Sequence, residues 1–264
     1  MTAHTELTSA EAEALSGSFG LLAGLPPDSP ERWPCLDLLD EARCAAYLDR
    51  LAATLPSPSR RIAASQFAKR YAFVAAAPVL YAMTAYGKGV SLEIGSCSLD
   101  ASPGRIGRIR LLAPEARVTE PEAGTREAWR KTLVETLFAG HIAPIWRTVS
   151  KVAKIPLPIL WENAAVRVYS LYEKRMAATA DARTQLRRTE DYDYLVRRAP
   201  GSSFGERVNP LGRFFGEEGR PFPAGEAGGV RIRRTCCLYY RASPDAEYCT
   251  TCPKLGSPGV PSPR

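Results

Sequence analysis

Two histidines, His4 and His141, are all that 264 residues provide. A Ser-His-Asp device needs one of them, and His4 sits in an N-terminus expected to fray, so hydrolytic catalysis has little to work with. His141 begins a helical run and is expected to be structural. No G-x-G-x-x-G opens a helix after a strand, and no G-x-x-x-x-G-K-[ST] occurs, which removes Rossmann dinucleotide binding and P-loop nucleotide binding. Any reductant must then come from another protein or a diffusible carrier. The first fifteen residues carry Glu6, Glu11 and Glu13 without a basic cluster, unlike a secretory leader, so a cytoplasmic protein is expected. The longest apolar stretch, Tyr71 to Tyr86, has no charge but spans too few residues for a bilayer and contains Pro78, so it reads as an interrupted buried helix. Neither an arginine-bearing recognition helix nor RNA-binding aromatics are present, which argues against nucleic acid. There is no internal repeat.

What the chain does have is cysteine in the right place. Four of seven lie near the C-terminus, in Arg233-Arg234-Thr235-Cys236-Cys237, eleven intervening residues, and Cys249-Thr250-Thr251-Cys252-Pro253. In a reducing compartment such clustered thiols are ligands sooner than disulfides, and four thiolates select iron-sulfur clusters or zinc over hard cations. Cys249 and Cys252 form a C-x-x-C knuckle that suits either. Cys236 and Cys237 are adjacent, so both can serve only through a tight bend or by reaching different atoms of a larger centre. This favours a two-iron cluster, with structural zinc the alternative. Cys35, Cys44 and Cys97 sit among apolar neighbours and read as buried thiols.

With its flanks Arg-Arg-Thr-Cys-Cys-Leu-Tyr-Tyr and Cys-Thr-Thr-Cys-Pro, the segment resembles the C-terminus of the FhuF-like ferric siderophore reductases. The resemblance implies a [2Fe-2S] cluster on Cys236, Cys237, Cys249 and Cys252, and an oxidoreductase that passes one electron to siderophore-bound Fe(III), the siderophore being a hydroxamate. Trp161-Glu162-Asn163, His141 and Asn209-Pro210-Leu211 are also similar to family positions. The gap between the cysteine pairs is eleven residues where ten is the family's spacing, and Ser243-Pro244-Asp245 is the turn that would absorb the extra one. The implied partners are a ferric siderophore and an electron donor, with peripheral attachment to the inner face of the membrane as a further expectation. A zinc interaction module and a ferredoxin-like carrier without siderophore specificity are the alternatives.

The expected fold is α+β: a mostly helical body with a small antiparallel sheet and a docked cysteine segment. Amphipathic spacing predicts helices over Asp37 to Leu55 and Arg60 to Tyr86. Alternation over Val90 to Ile94 and Ile106 to Leu111 predicts a hairpin or small antiparallel sheet. Helix is expected from Glu122 to about Val196 with breaks near Pro156 and Pro158, and Trp161, Ala164, Ala165, Val168 and Tyr172 share one face of it. Residues 1–229 form the body with a siderophore cleft bordered by Trp161, Tyr239 or Tyr240, residues 230–254 the cluster segment, and residues 255–264 a flexible tail. Charge is uneven: residues 1–57 hold nine acidic and three basic side chains, leaving +13 on the rest. Arg231, Arg233, Arg234 and Arg241 beside the cysteines read equally as a field for an acidic electron donor or as a solvated basic face.

Overall fold

A computed structural model describes residues 2–22, 32–100, 106–177, 181–215 and 231–255. The chain opens with β1 (Thr2–Thr5) and α1 (Ser9–Phe19). Thr8 and Glu11 close a reciprocal capping box at the start of α1, and Gly20, at φ 78°, ends it in the left-handed conformation glycine adopts without strain. Short strands β2 (Leu21–Leu22) and β3 (Arg32–Pro34) lead to α2 (Glu41–Ala52), capped by Asp40.

The long α3 (Arg60–Tyr81) is the centre of the body. Its Ala-rich sequence is apolar on nearly every side, and a helix of that kind must be buried all round. Sixteen of its residues are buried. Contrary to the expected interruption, α3 runs through Pro78, and the pattern changes only at Ala82–Tyr86, where one π turn replaces α geometry. No helix among the described residues is long and apolar enough to cross a membrane.

β4 (Gly89–Ser91), β5 (Ser98–Asp100), β6 (Arg110–Leu112) and β7 (Arg117–Pro121) follow. They form two small sheets rather than one hairpin. The first, β1-β7-β4, is antiparallel; the second is ordered β2-β6-β5-β3, with β2 parallel to β6 and the rest antiparallel. The two alternating segments expected to lie together therefore fall in different sheets, and Ile106–Arg108 is a 3₁₀ turn. Strands of three residues carry too little pattern to specify partners. His4, expected to fray, lies in β1 opposite Thr119 of β7. Gly89 packs so closely on the helix that follows that a Cβ there would meet Leu133 at 2.5 Å.

That helix, α4 (Arg126–Leu137), passes through a π turn at Phe138–Ile142 into α5 (Ala143–Ala153). Lys154, in a left-handed conformation, stops α5. Pro158 does not break helix: it occupies the first turn of α6 (Leu157–Ser170), where its missing N–H has no partner to lose. The expected stripe of Trp161, Ala164, Ala165, Val168 and Tyr172 is buried, and α6 packs lengthwise on α3. Further π turns at Leu171–Arg175 and Tyr194–Arg198 end α6 and α7 (Ala182–Asp193), and α8 (Pro210–Phe215) follows. The connector expected over 199–229 holds α8, and its remainder from 216 lies outside the described residues, as does the tail from 256.

Part of the acidic N-terminal charge is paired with cations from later in the chain. Glu11 pairs with Lys88, Asp49 with Arg60, and Glu41 with Lys151. Cys35, Cys44 and Cys97 are buried free thiols, and burial pushes Cys44 and Cys97 up to about 12. The architecture is α+β and mostly helical, with the cysteine segment laid against α3 and α6.

Candidate metal centre and adjoining cavity

The run from Arg233 to Cys237 is held by polar groups that helices α3 and α6 present from their buried faces. Glu162 of α6 is 2% exposed, yet its carboxylate is fully engaged. It accepts the backbone N–H groups of Arg234 at 2.6 Å and Thr235 at 2.8 Å, together with the Thr235 hydroxyl. The buried Arg233 guanidinium lies 3.6 Å away and supplies the countercharge a buried carboxylate requires. One turn on, the Cys237 carbonyl accepts from Ser65 Oγ at 2.7 Å and Gln66 Nε2 at 2.6 Å, both on α3. Asn163 of α6 donates in turn to Ser65 Oγ and to the Ser65 carbonyl. Five side chains thus fix the backbone on which Cys236 and Cys237 stand.

The tight bend that adjacent ligands require is present. Leu238 has φ 60°, a left-handed conformation that costs an L-residue about 1–2 kcal/mol. Its N–H lies 3.5 Å from Cys236 Sγ. The chain then makes a 3₁₀ turn at Tyr239–Arg241 and a reverse turn at Ser243–Ala246, the place assigned to the extra residue. Cys252 N–H donates to the Cys249 carbonyl at 2.9 Å, closing the C-x-x-C knuckle, and Arg233 N–H donates to Thr251 O at 2.9 Å, tying the two cysteine runs together.

All four thiols are free; Cys237 and Cys252 are buried, Cys236 and Cys249 half-buried. Cys237 Sγ and Cys249 Sγ are 3.5 Å apart. That contact, with Lys69 and Arg233 nearby, draws one thiol of the pair, Cys237, down to about 5 and drives the other, Cys249, up. Cys236 is raised by burial. Among the described residues no three His, Cys, Asp or Glu side chains converge on one point. Cys237 and Cys249, one from each cysteine run, are the two thiols seen in contact among the described residues.

The same face of α3 that anchors Cys237 opens into a cavity of about 460 Å³. Gln66, Lys69, Arg70 and Phe73 follow one another at helical i, i+3, i+4 and i+7 spacing along its wall. Arg167 and Arg175 enter from α6 and its π turn, and Tyr239 from the cysteine loop. Of the aromatics expected to border a cleft, Tyr239 does so here, with Lys69 Nζ 4.8 Å from its ring centre. Trp161 lines a separate cavity of about 280 Å³ near Pro210, where it donates to Glu206. Tyr240 stacks on Tyr248 instead.

One expectation changes. Arg231 pairs with Glu173 at 2.6 Å and Arg233 is buried beside Glu162, so the arginines around the cysteines do not form one open field. His141 is fully buried, bonded to Tyr71 at 2.6 Å and the Leu92 carbonyl at 2.7 Å. Asn209 works locally too, its side-chain carbonyl capping α8 through Leu211 and Gly212. Ser65, Gln66, Lys69 and Arg70 escaped the sequence reading, although polar residues at regular spacing inside an Ala-rich apolar helix are a signal in themselves.

A family model described as ferric iron reductase FhuF-like transporter matches residues 65–221, and one described as FhuF 2Fe-2S C-terminal domain matches residues 233–254. No curated protein matches the chain.

Proposed function

Because the chain belongs to the FhuF-like ferric iron reductase family, and its C-terminal domain is one that holds a [2Fe-2S] cluster, we propose that it reduces siderophore-bound Fe(III) in the cytoplasm, with Cys236, Cys237, Cys249 and Cys252 as the cluster ligands. A [2Fe-2S] centre supplies one-electron transfer. The remaining work belongs to the chain. Glu162, Ser65 and Gln66 hold the ligand loop at a fixed distance from the cavity, and the cavity seats the ferric complex. The electron comes from a donor protein or diffusible reductant, since the sequence has no dinucleotide motif. Fe(III) accepts that one electron and becomes Fe(II). Hydroxamate oxygens are hard ligands that grip Fe(III) and hold Fe(II) far less tightly, so the metal leaves once they are protonated.

One observation carries this reading: Gln66 lies in the cavity wall and donates to the carbonyl of Cys237. Substrate seat and ligand loop thus share a side chain, and a bound chelate lies next to the thiols without entering the fold. Zinc is set aside by the match of residues 233–254 to the iron-sulfur domain.

The test is anaerobic purification with iron and sulfide analysis, followed by single-turnover mixing of the reduced protein with a ferric trihydroxamate and a ferrous-iron trap. About two iron and two sulfide per chain are expected, lost in Cys236→Ser and Cys249→Ser. Trapped Fe(II) should appear at a rate above that of the reductant alone. A coloured, fully loaded protein that releases no iron from any hydroxamate would reduce the reading to that of an electron carrier.

A further inference from the structure

The cavity beside the cysteines is basic, and the opposite charges nearest to it are those of the cysteines, Cys237 and Cys249 acting on Lys69 and Cys237 on Arg167. Among the described residues Lys69, Arg70, Arg167 and Arg175 line it, and no aspartate or glutamate does. The other two described cavities each contain a glutamate, Glu206 in one and Glu6 in the other. Among the described residues none of the four cations forms an ion pair, although carboxylates take up cations elsewhere on the body. Arg167 Nε is buried without a hydrogen-bond partner. The Phe73 ring holds three guanidinium groups round it, Arg175 at 5.3 Å, Arg70 at 5.4 Å and Arg167 at 6.0 Å from its centre. Like charges gathered at one ring repel, and Arg70 and Arg167, both half-buried, are less screened by water than the exposed Arg175.

Three hydroxamates carry three negative charges and neutralise Fe(III), so a chelate made of hydroxamates alone offers these cations no countercharge. We propose that the cavity selects ferric hydroxamate complexes whose periphery carries free carboxylates, Arg70, Arg167 and Arg175 being the specificity-determining residues. Planar guanidinium forks match carboxylates in two-point fashion, and Phe73 keeps the forks spread and partly dehydrated. Lys69, over Tyr239, stands at the edge nearest the cysteine loop and adds a point charge there. This assignment rests on the reductase reading for the identity of the chelate, while the recognition of charge rests on the cavity alone.

The experiment separates the two. A trihydroxamate bearing free carboxylates and the same molecule with those carboxylates converted to amides are compared on the cluster-loaded protein. Their gallium complexes, equal in charge and shape to the ferric ones but inert to reduction, are titrated calorimetrically, and the ferric complexes are assayed for Fe(II) release. The carboxylated gallium complex should bind about tenfold or more tighter at low salt, the ratio shrinking as salt is raised. Arg175→Gln, an exposed position, and Arg70→Gln should each move the ratio toward one. Equal binding of the two complexes, or a preference indifferent to salt and to both substitutions, would overturn the charge assignment whether or not iron is reduced. Selective binding without Fe(II) release would uphold that assignment and remove the reductase reading.

Discussion

Among the described residues two carboxylates lie fully inside, Glu162 and Asp191, and their neighbours put them to different uses. Asp191 of α7 accepts two bonds from Arg126, one from Arg130 and one from Thr84, all of them side chains. Glu162 of α6 accepts two backbone N–H groups and one hydroxyl from the loop before Cys236, with Arg233 as the adjacent charge. The first arrangement staples helices: it joins α7 to α4 and to the π turn after α3, and none of its donors comes from the cysteine segment. The second specifies a loop, because bonds to successive amides fix backbone direction as well as position. Equal burial therefore does not mean equal role, and substitution of each should separate stability from cofactor retention.

The largest effect is expected at Asp191. Asp191→Ala leaves Arg130, 4% exposed, and Arg126 without their carboxylate. Stranding a buried charge in this way costs about 3–5 kcal/mol. Denaturant unfolding monitored by helical circular dichroism should show that loss, while iron per folded molecule stays at its normal value. Loss of iron without loss of stability would contradict the division of roles.

His141 sharpens the comparison as a buried ionisable group with no charge beside it. Burial depresses it to about 4, below the usual histidine value, and the Leu92 carbonyl only partly offsets this. In the unfolded chain it titrates near the ordinary value, so below that pH the unfolded state binds the extra proton. Stability is then undiminished above about pH 6.5 and falls toward pH 4, by about 3 kcal/mol in all. His141→Gln should flatten the difference between unfolding free energies measured at pH 7 and pH 4.5. An unchanged pH slope would mean that the ring is not held neutral.

At Glu162 a smaller global effect and a larger local one are expected. Glu162→Gln preserves size but replaces one acceptor oxygen by a donor facing an amide and removes the countercharge of the buried Arg233, which lies 3.6 Å away without a hydrogen bond to it, so the cost is about 3 kcal/mol, the low end of the Asp191 range. Its signature is lower iron content and faster cluster loss under chelator challenge, with the helical signal unchanged. If Asp191→Ala and Glu162→Gln alter stability and iron content in the same proportion, the two carboxylates are not distinct in role.

The sequence showed these two regions unequally. The cysteine spacing pointed directly at the metal centre because ligand chemistry is carried by residue type, and Trp161-Glu162-Asn163 was noticed through resemblance. Helices were legible wherever apolar residues ran long, as over Arg60 to Tyr81, although that helix is buried on nearly every side instead of being amphipathic. The two small sheets were not, since β4 and β6 are three residues each, and β4 with β7 and β6 with β2 pair across long stretches of chain. Nor was the basic cavity. Lys69 and Arg70 look like ordinary surface cations until α6 brings Arg167 and Arg175 against them. The arginines next to the cysteines drew attention by proximity in sequence, whereas Arg233 turned inward to Glu162.

The smallest expected effect tests how firmly the loop side of the comparison is held. Leu238 adopts its left-handed conformation between Cys237 and the turn at Tyr239, where a branched side chain meets the backbone. Leu238→Gly removes that strain but also frees the unfolded chain, so the net gain is about 1 kcal/mol at most. If Glu162, Ser65 and Gln66 already dictate the path of Arg233 to Cys237, the variant should keep its iron, and the visible spectrum and reduction potential should match the parent. A shifted potential with retained iron would mean that Leu238 N–H, aimed at Cys236 Sγ, tunes the centre through its orientation. The loop would then be set from both ends, by the buried carboxylate before the first cysteine and by the strained residue after the second.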